Sequence, residues 1–349
     1  MSADLPADLD GLRVVLGSGS LRDVPAEADR LGARRVLLVA GGSAAAHGDT
    51  VAALLGDRLA GRLTEVAQHV PVDLAERAVR LAEGVRADLV VTIGGGSATG
   101  LGKAVARETG LRIVAVPTTF SGSEATPIWG LTAGGRKTTG RDPRVRPTTV
   151  VYDPDLFRTL PATLAATSAL NAFAHCVEGL YAPDATPRTD RWATAGVALL
   201  TGGLARAADR LPDLLVGGLH AGLVLGATTT GIHHKLAHVL GGTYRLPHAD
   251  THAVLLPHVV AANAPAAPQA MAAAARAMGR ADHDVAGAIW DLGRDNGAPT
   301  SLHALGWPAA AVDDVVDAVL AAPPPNPHPV ERPWLRALLL AAHRGDRPA

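Results

Sequence analysis

The feature that most constrains the fold of this chain is an alternation of short β-branched runs with amphipathic helical stretches between residues 13 and 152. Such alternation is typical of a mainly parallel sheet with helices on both faces, whose ligands bind at the carboxyl ends of the strands. The predicted strands are 13–16, 35–40, 88–93, 112–116 and 149–152. The predicted helices between them are 25–31, 50–63 and 74–85.

The alternation ends at Asp153 and Pro154, and the sequence downstream is rich in alanine and leucine at helical spacing. The predicted helices are 162–181, 190–211, 217–241, 254–262, 268–278, 283–296 and 309–322, followed by an extended proline-rich segment at 323–329. Because 349 residues exceed what one hydrophobic core usually serves, we predict two domains. These are an α/β domain over 1–154 and an all-α domain over 155–349.

The composition excludes several classes of protein. With 33 acidic and 32 basic residues the net charge is −1, which argues against a nucleic-acid partner, and 48% hydrophobic residues argue against disorder. The weakly polar stretch 214–232 contains His220 and several glycines, so we expect a buried helix with a loop or kink and no membrane partner. The single cysteine, Cys176, and a start without a signal-peptide pattern predict a cytoplasmic protein.

A glycine-rich turn follows the predicted strand 88–93. Gly94, Gly95, Gly96 and Ser97 lead directly into an amphipathic helix, so backbone amides at the helix N-terminus can approach a phosphate closely. The spacing fits neither the Walker loop nor the GxGxxG dinucleotide fingerprint. The turn therefore predicts a diphosphate site, and a tight turn without a ligand stays as the alternative.

Two further strand ends bear on the same site. Residues 117–124, PTTFSGSE, follow the next strand and bring hydroxyl groups to the same edge of the sheet. After the strand 35–40, Gly41, Gly42 and Ser43 stand where an acidic residue normally binds the adenosine ribose. Nothing at those three positions repels a 2′-phosphate, so we expect no discrimination against NADPH.

Histidines are concentrated in one short part of the helical region. Six of the 14 lie close together: His233, His234, His238, His248, His252 and His258. We predict that His234 and His238 share a helix face and that His248, after Pro247, lies at a turn. Asn171 and His175 repeat the four-residue spacing on another helix.

This histidine cluster suits either a metal ion or proton transfer. An iron site would normally include a carboxylate, but Asn171, one turn before His175, is a neutral amide. Three neutral imidazoles can still bind zinc. Histidines hydrogen-bonded inside a helical core are the structural alternative.

Five long motifs together resemble the iron-containing alcohol dehydrogenase superfamily, and within it the maleylacetate reductases. They are GGGSATGLGKA at 94–104, PTTFSGSEATPIWGLT at 117–132, GRKTTGRDPRVRP at 135–147, NAFAHCVEGLYAPDA at 171–185 and GIHHKLAHVLGGTYRLPHADTHA at 231–253. The resemblance implies that the α/β domain binds a dinucleotide and that the helical domain is catalytic. It also implies NADH- or NADPH-dependent reduction of the carbon–carbon double bond of maleylacetate to 3-oxoadipate, in the breakdown of aromatic compounds.

The resemblance also implies roles for individual residues. Those implied to contact the cofactor are Gly95, Gly96, Ser97, Thr118, Thr119, Ser121 and Lys137. In metal-dependent relatives an aspartate at the position of Asn171 joins histidines matching His175, His234 and His248 as metal ligands. Asparagine at this position is shared with the maleylacetate reductase branch, so we expect no metal.

The chemistry of such a substrate explains how a metal becomes dispensable. Hydride addition to an alkene conjugated with a ketone places negative charge on an enolate, which hydrogen-bond donors can stabilise and protonate. Our hypothesis is that the predicted catalytic residues form a donor and proton-relay cluster, with His238 and Lys235 nearest the reacting atoms. The set is Asn171, His175, His234, Lys235, His238 and His248.

A dicarboxylate substrate also needs cationic partners. Arg141 and Arg144, in the arginine-rich run 135–147, are the candidate carboxylate clamps, and His252 is a further candidate for substrate binding. A solvated loop in which the arginines balance Asp142 is the alternative. The apolar helical faces also predict a homodimer.

Three other functions remain open from the sequence. A metal-dependent alcohol or lactaldehyde dehydrogenase, and a biosynthetic reductase of another enone or aldehyde, would use the same scaffold. A non-catalytic scaffold protein belongs to a different class, and retention of the glycine turn and the histidines argues against it. Metal analysis, activity measurements and NADH titration distinguish these possibilities.

Overall fold

A computed structural model describes residues 5–134, 136–205, 211–281 and 284–348. The chain divides into two compact units, Ala7–Leu160, and Pro161–Ala349 together with Met1–Pro6. The first is an α/β unit and the second is helical, which confirms the predicted fold class.

The α/β unit is built on a parallel sheet. The strands lie in the order β1 (Arg13–Leu16), β8 (Thr149–Tyr152), β5 (Arg112–Pro117), β4 (Leu89–Gly94), β2 (Val36–Ala40) and β3 (Leu59–Leu63). Every residue of β2 and β4 is buried, as expected for apolar strands that are covered on both faces. The helices are α1 (Val24–Arg30), α2 (Ala45–Leu55), α3 (Val72–Gly84) and α4 (Gly96–Thr109).

Two parts of this unit differ from the prediction. The predicted helix 50–63 is wrong in its second half, because Gly56 leaves the helix at φ 52° and the chain continues into β3. An antiparallel hairpin of β6 (Ile128–Ala133) and β7 (Arg136–Arg141) was not predicted. β7 has no apolar residue, and glycine and threonine interrupt the apolar residues of β6, so neither strand shows the regular alternation that indicates a strand.

The helical unit contains nine helices among its described residues. They are α5 (Ala162–Leu180), α6 (Pro187–Ala205), α7 (Leu211–Ala227), α8 (Ile232–Tyr244), α9 (His248–Asn263), α10 (Pro268–Ala277), α11 (Val285–Asp295), α12 (Val312–Leu320) and α13 (Arg332–Arg344). Residues 206–210 and 283, parts of two predicted helices, lie outside the described residues. Trp307 is buried in a core formed with α8, α9, α12 and α13.

The predicted helix 217–241 is wrong as a single element. The chain bends by 96° between α7 and α8, and residues 228–231 form the break that the glycines and threonines had suggested. Among the described residues no single helix has the length and apolarity to cross a membrane, and only α7 and α8 taken together, despite their bend, pass that test.

The position of His248 also differs from the prediction. Pro247 precedes α9 at the N-cap, so His248 is the first residue of a helix rather than part of a turn. Proline interrupts a helix interior but is tolerated at a helix start. Pro247 therefore precedes the start of α9, whereas the sequence pattern placed that start at residue 254. His248 and His252 are consequently one turn apart on α9.

Candidate active site

The glycine turn joins the end of β4 to the start of α4. Gly94 has φ 144°, which an L side chain rarely adopts, and Gly95 is the N-cap of α4. No side chain caps this helix start. The first-turn amides, with Ser97 half-buried among them, therefore offer an anion-binding end of a helix at the carboxyl edge of the sheet.

The segment after β5 lies directly against this turn. The backbone N–H of Thr118 donates to the carbonyl oxygen of Gly94 over 3.1 Å. A Cβ added at Gly95 would lie 3.1 Å from both Oγ1 and Cγ2 of Thr119, and one at Gly96 would lie 3.5 Å from Oγ of Ser121. The structure therefore brings the predicted cofactor residues of the two segments together.

The segment after β2 leaves little room at its first position. A Cβ at Gly41 would lie 1.8 Å from the carbonyl oxygen of Thr64, so that residue can only be glycine without a backbone shift. Gly42 and Ser43 are exposed, and Gly42 has φ 58°. An acidic side chain for a ribose hydroxyl would have to be placed at residue 42 or 43.

The predicted cationic residues lie on and after β7. The side chain of Lys137 lies outside the described part of the structure. Arg141 ends β7 and is exposed. Arg144 is also exposed, and its guanidinium bonds both carboxylate oxygens of Asp142, with Nη2 to Oδ2 at 2.7 Å. Arg144 thus already has a carboxylate partner within the chain.

The imidazoles form one cluster inside the helical unit. Helix α5 supplies Asn171 and His175, α8 supplies His233, His234, Lys235 and His238, and α9 supplies His248 and His252. The ring centroids of His175 and His234 are 4.8 Å apart, and those of His248 and His252 are 4.4 Å apart. His238 and His248 stack at 6.4 Å. The predicted catalytic histidines therefore converge, and His252 lies among them.

The cluster runs from a buried end to an exposed end. Asn171, His175, His234 and His252 are buried, Lys235 and His248 are half-buried, and His238 is exposed. Five buried polar atoms of the cluster have no hydrogen-bond partner among the described residues: Asn171 Oδ1, His175 Nδ1, His233 Nδ1, His234 Nε2 and His252 Nε2. Because imidazole nitrogens and amide oxygens form hydrogen bonds, these atoms are available to pair with a substrate group or a water molecule.

Glu178 also reaches the cluster, although no sequence pattern predicted it. Its Oε1 accepts a 2.8 Å hydrogen bond from the backbone N–H of His233, and its Oε2 contacts Nδ1 of His234. Burial raises the pKa of this carboxyl, but the interactions with His234 and His233 outweigh burial and hold the pKa below its ordinary value. Its place three residues after His175, on the same face of α5, was the available sequence signal.

Burial also governs the imidazoles behind His234. It lowers the pKa of His233 to about 3, and it lowers the pKa of His175 and of His252 well below the ordinary value, with neighbouring histidines adding to both shifts. Nε2 of His233 and Nδ1 of His252 are 2.8 Å apart, so one donates a hydrogen bond and the other accepts it. The lowered pKa values favour the neutral form of these three imidazoles, in which each ring has one donor and one acceptor nitrogen.

Two family models together match nearly the whole chain. Residues 12–154 match the iron-containing alcohol dehydrogenase model, and residues 165–343 match the C-terminal model of the same family. A maleylacetate reductase of Burkholderia cepacia is 45% identical over 343 residues, covering 97% of each chain. The chain belongs to the maleylacetate reductase branch of the iron-containing alcohol dehydrogenase family.

Solved structures in this family share the fold. The crystal structure of maleylacetate reductase from Rhizobium sp. strain MTP-10005 is 40% identical, with a TM-score of 0.90 over 100% of this chain and 99% of that one. An iron-containing alcohol dehydrogenase from Corynebacterium glutamicum is 39% identical, with a TM-score of 0.92 over the same shares. Family members named maleylacetate reductase and alcohol dehydrogenase therefore share this architecture.

The name of the family raises the question of whether these residues suit an iron ion. Asn171 offers a neutral amide oxygen beside His175, whereas iron favours a carboxylate among its ligands. Glu178, the carboxylate that does reach the cluster, is bonded to His233 and His234. Within the described residues, no three histidine, cysteine or carboxylate side chains are arranged to hold a metal ion. The cluster therefore offers imidazoles and an amide, without the free carboxylate that an iron site favours.

Proposed function

We propose that this member of the family is a maleylacetate reductase that reduces the carbon–carbon double bond of maleylacetate to 3-oxoadipate in aromatic catabolism. The observation that carries the proposal is the neutral amide of Asn171 beside buried imidazoles with unpaired nitrogens. Such a cluster supplies hydrogen-bond donors and acceptors, which suits an enolate better than an alkoxide. The maleylacetate reductases among the relatives, 41–45% identical over almost their whole length, support the same substrate.

The α/β unit would hold NADH or NADPH, which supplies the hydride when bound. The N-terminus of α4, with Gly95, Gly96 and Ser97, would bind the diphosphate through backbone amides. The side chains of Thr119 and Ser121 lie beside that turn, to which the backbone of Thr118 is bonded, and the three hydroxyls would bind further cofactor oxygens. Lys137 is assigned to the cofactor by family resemblance.

The helical unit would stabilise and protonate the substrate enolate without a metal. His238, which is exposed at one end of the cluster, and Lys235, which is half-buried on the same helix, would donate to the substrate oxygen or carbon. His175, His234 and His248 lie behind them and would pass protons through the cluster. Asn171 would stabilise the buried end of the imidazole cluster through hydrogen bonds of its side-chain amide.

The substrate carboxylates would be bound by arginine and histidine side chains. Arg141 is exposed at the end of β7, and Arg144 would have to exchange Asp142 for a substrate carboxylate. Nε2 of His252 has no described partner and can donate or accept. Changing Arg141 to Ala should raise KM for maleylacetate about tenfold and KM for NADH much less, and equal changes would remove Arg141 from the substrate site.

We also propose that the enzyme is a cytoplasmic homodimer whose partner molecules are small, with no nucleic acid or membrane among them. The near-zero net charge argues against a nucleic-acid partner. The single buried cysteine, Cys176, suits a reducing compartment such as the cytoplasm. The alanine-rich helical unit supports a dimer. Light scattering of the purified protein tests the oligomeric state.

The decisive experiment measures NADH oxidation when purified, chelator-treated enzyme is mixed with maleylacetate. We expect turnover that is unchanged by chelation, together with less than one tightly bound metal per chain. Loss of activity on chelation, with recovery on adding a divalent metal, would favour a metal-dependent alcohol dehydrogenase. Cofactor binding without any reduction of maleylacetate would favour a reductase of another enone or aldehyde.

A further inference from the structure

Lys103 is a fully buried charged residue that the proposed reaction does not use. It lies on α4, two turns after the glycine turn, and has no exposed surface. Its Nζ donates to the carbonyl oxygen of Ser123 over 2.6 Å, to Oγ1 of Thr126 over 2.9 Å and to the carbonyl oxygen of Ile128 over 2.9 Å. Lys103 therefore binds the chain itself rather than a phosphate.

Three oxygen atoms surround Nζ of Lys103, and the ammonium form can donate a hydrogen bond to each of them. Burial lowers the pKa of Lys103 to about 7, while the buried carboxyl of Glu124 acts in the opposite direction. Oε1 of Glu124 in turn accepts a 2.7 Å hydrogen bond from the hydroxyl of Tyr152. Nζ of Lys103 is thus held by three oxygen atoms inside the α/β unit, near the carboxyl of Glu124, whose own pKa is raised by burial.

The segment that follows β5, residues 118–128, is attached to its neighbours at both ends, and the contacts of Lys103 form the second attachment. At its start, the N–H of Thr118 donates to Gly94, the last residue of β4. At its end, Ser123, Thr126 and Ile128 are tied to α4 through Lys103. Thr119 and Ser121, the residues that lie against the glycine turn, are between these two attachments.

We propose that Lys103 is a positioning residue for cofactor binding. It holds the segment after β5 against α4, and so sets the separation between the diphosphate-binding turn and the hydroxyls of Thr119 and Ser121. The inference rests on the proposed NAD(P)H site. Removing the three donors breaks this link between the segment and α4 while leaving every residue assigned to the cofactor unchanged.

The test compares two substitutions by methionine on the same helix. Lys103→Met keeps the length of the side chain but removes its donors, whereas Leu101→Met changes a neighbouring buried side chain that makes no polar contact. Fluorescence titration should show a Kd for NADH about tenfold or more above wild type for Lys103→Met, and within about twofold for Leu101→Met. Saturating NADH should restore kcat, and KM for maleylacetate should not change.

A purely structural lysine would give a different result. It would lower the fraction of folded enzyme, so kcat per total protein would fall while the Kd for NADH stayed constant. That outcome overturns the proposal. If wild-type enzyme binds no NADH, the proposal fails together with the cofactor site; if it binds NADH but does not reduce maleylacetate, only the proposed substrate is wrong.

A milder pair of variants covers the case in which Lys103→Met does not fold. Thr126→Val removes one acceptor of Lys103 at nearly constant volume, and Thr126→Ser keeps the hydroxyl. We expect Thr126→Val to raise the Kd for NADH about threefold and Thr126→Ser to match wild type. Wild-type affinity in a folded Thr126→Val variant would contradict the proposal.

Discussion

Glu178 and His234 form a buried carboxylate–imidazole pair in which Oε2 of Glu178 contacts Nδ1 of His234. Because the pKa of Glu178 is held below its ordinary value, the carboxylate is ionised at neutral pH and can only accept a hydrogen bond. Nδ1 of His234 therefore carries a proton, and Nε2 is the nitrogen left for the rest of the cluster. The pair fixes both the ring orientation and the tautomer of His234.

The first prediction follows from this pair. Glu178→Gln keeps the shape and one acceptor but removes the charge that stabilises a protonated His234 during proton transfer. We expect kcat with maleylacetate to fall at least about tenfold, equivalent to about 1.4 kcal/mol of transition-state stabilisation. The Kd for NADH should stay at the wild-type value.

The matched control is Glu27→Gln, which neutralises another buried carboxylate, one that lies outside the proposed site. It should leave kcat of the folded enzyme unchanged. Equal kcat for Glu178→Gln and wild type in steady-state assays would show that Glu178 has no part in proton transfer.

The second prediction concerns the contact between the glycine turn and Thr119. Gly95→Ala places a methyl group 3.1 Å from the Thr119 side chain, closer than ordinary van der Waals contact, so Thr119 must shift. We expect KM for NADH to rise about tenfold with little change in kcat, because the lost contact binds the cofactor equally in the ground state and in the transition state. Gly84→Ala is the control, since its Cβ would meet nothing within 4 Å and KM should not change. Similar kinetics for both variants would argue against cofactor binding at this turn.

The parts of the fold and site predicted from sequence are those with a local signal. β4, the glycine turn and α4 were predicted because an apolar run, consecutive glycines and helical spacing follow one another along the chain. The α5 and α8 histidines were recognised because four-residue spacing places side chains on one helix face. Both patterns depend only on near neighbours in sequence.

The parts that were missed depend on partners distant in sequence. Glu178 gains its role from His234, and Lys103 from the segment after β5; both partnerships exist only in the folded chain. β3 is a half-buried edge strand whose residues do not alternate, and its pairing with β2 provides its stability. Such elements are determined by tertiary contacts, which override local propensity.

The third prediction tests the choice between NADH and NADPH. Ser43 is exposed just after β2, at the place where an acidic residue would bind ribose hydroxyls and repel a 2′-phosphate. Ser43→Asp should therefore raise KM for NADPH about tenfold and leave KM for NADH unchanged or lower. Ser43→Asn has the same size without the charge and should behave like wild type. An equal effect of Ser43→Asp on both cofactors would place the ribose elsewhere.

The last prediction links a buried carboxylate of the α/β unit to stability. Glu27 accepts hydrogen bonds from Nε and Nη2 of Arg13, from Nε of Arg30 over 2.7 Å and from Oγ1 of Thr149. Burial raises the pKa of Glu27, but the two guanidinium groups outweigh it and lower the pKa below 4.5. The unfolded state consequently binds the proton more readily than the folded state does.

The sign of the pH dependence follows directly. The contribution of Glu27 is complete above its unfolded pKa, near 4.5, and is lost as pH falls through the lower folded pKa. Because Arg13 and Arg30 are partly exposed, Glu27→Gln should lower the free energy of unfolding by about 1–2 kcal/mol at neutral pH. Urea denaturation should show this difference shrinking in acid. Glu76→Gln, which removes an exposed carboxylate 3.7 Å from Arg80, should change stability little at any pH. A difference for Glu27→Gln that grows in acid would mean that the arginines do not hold this carboxylate ionised.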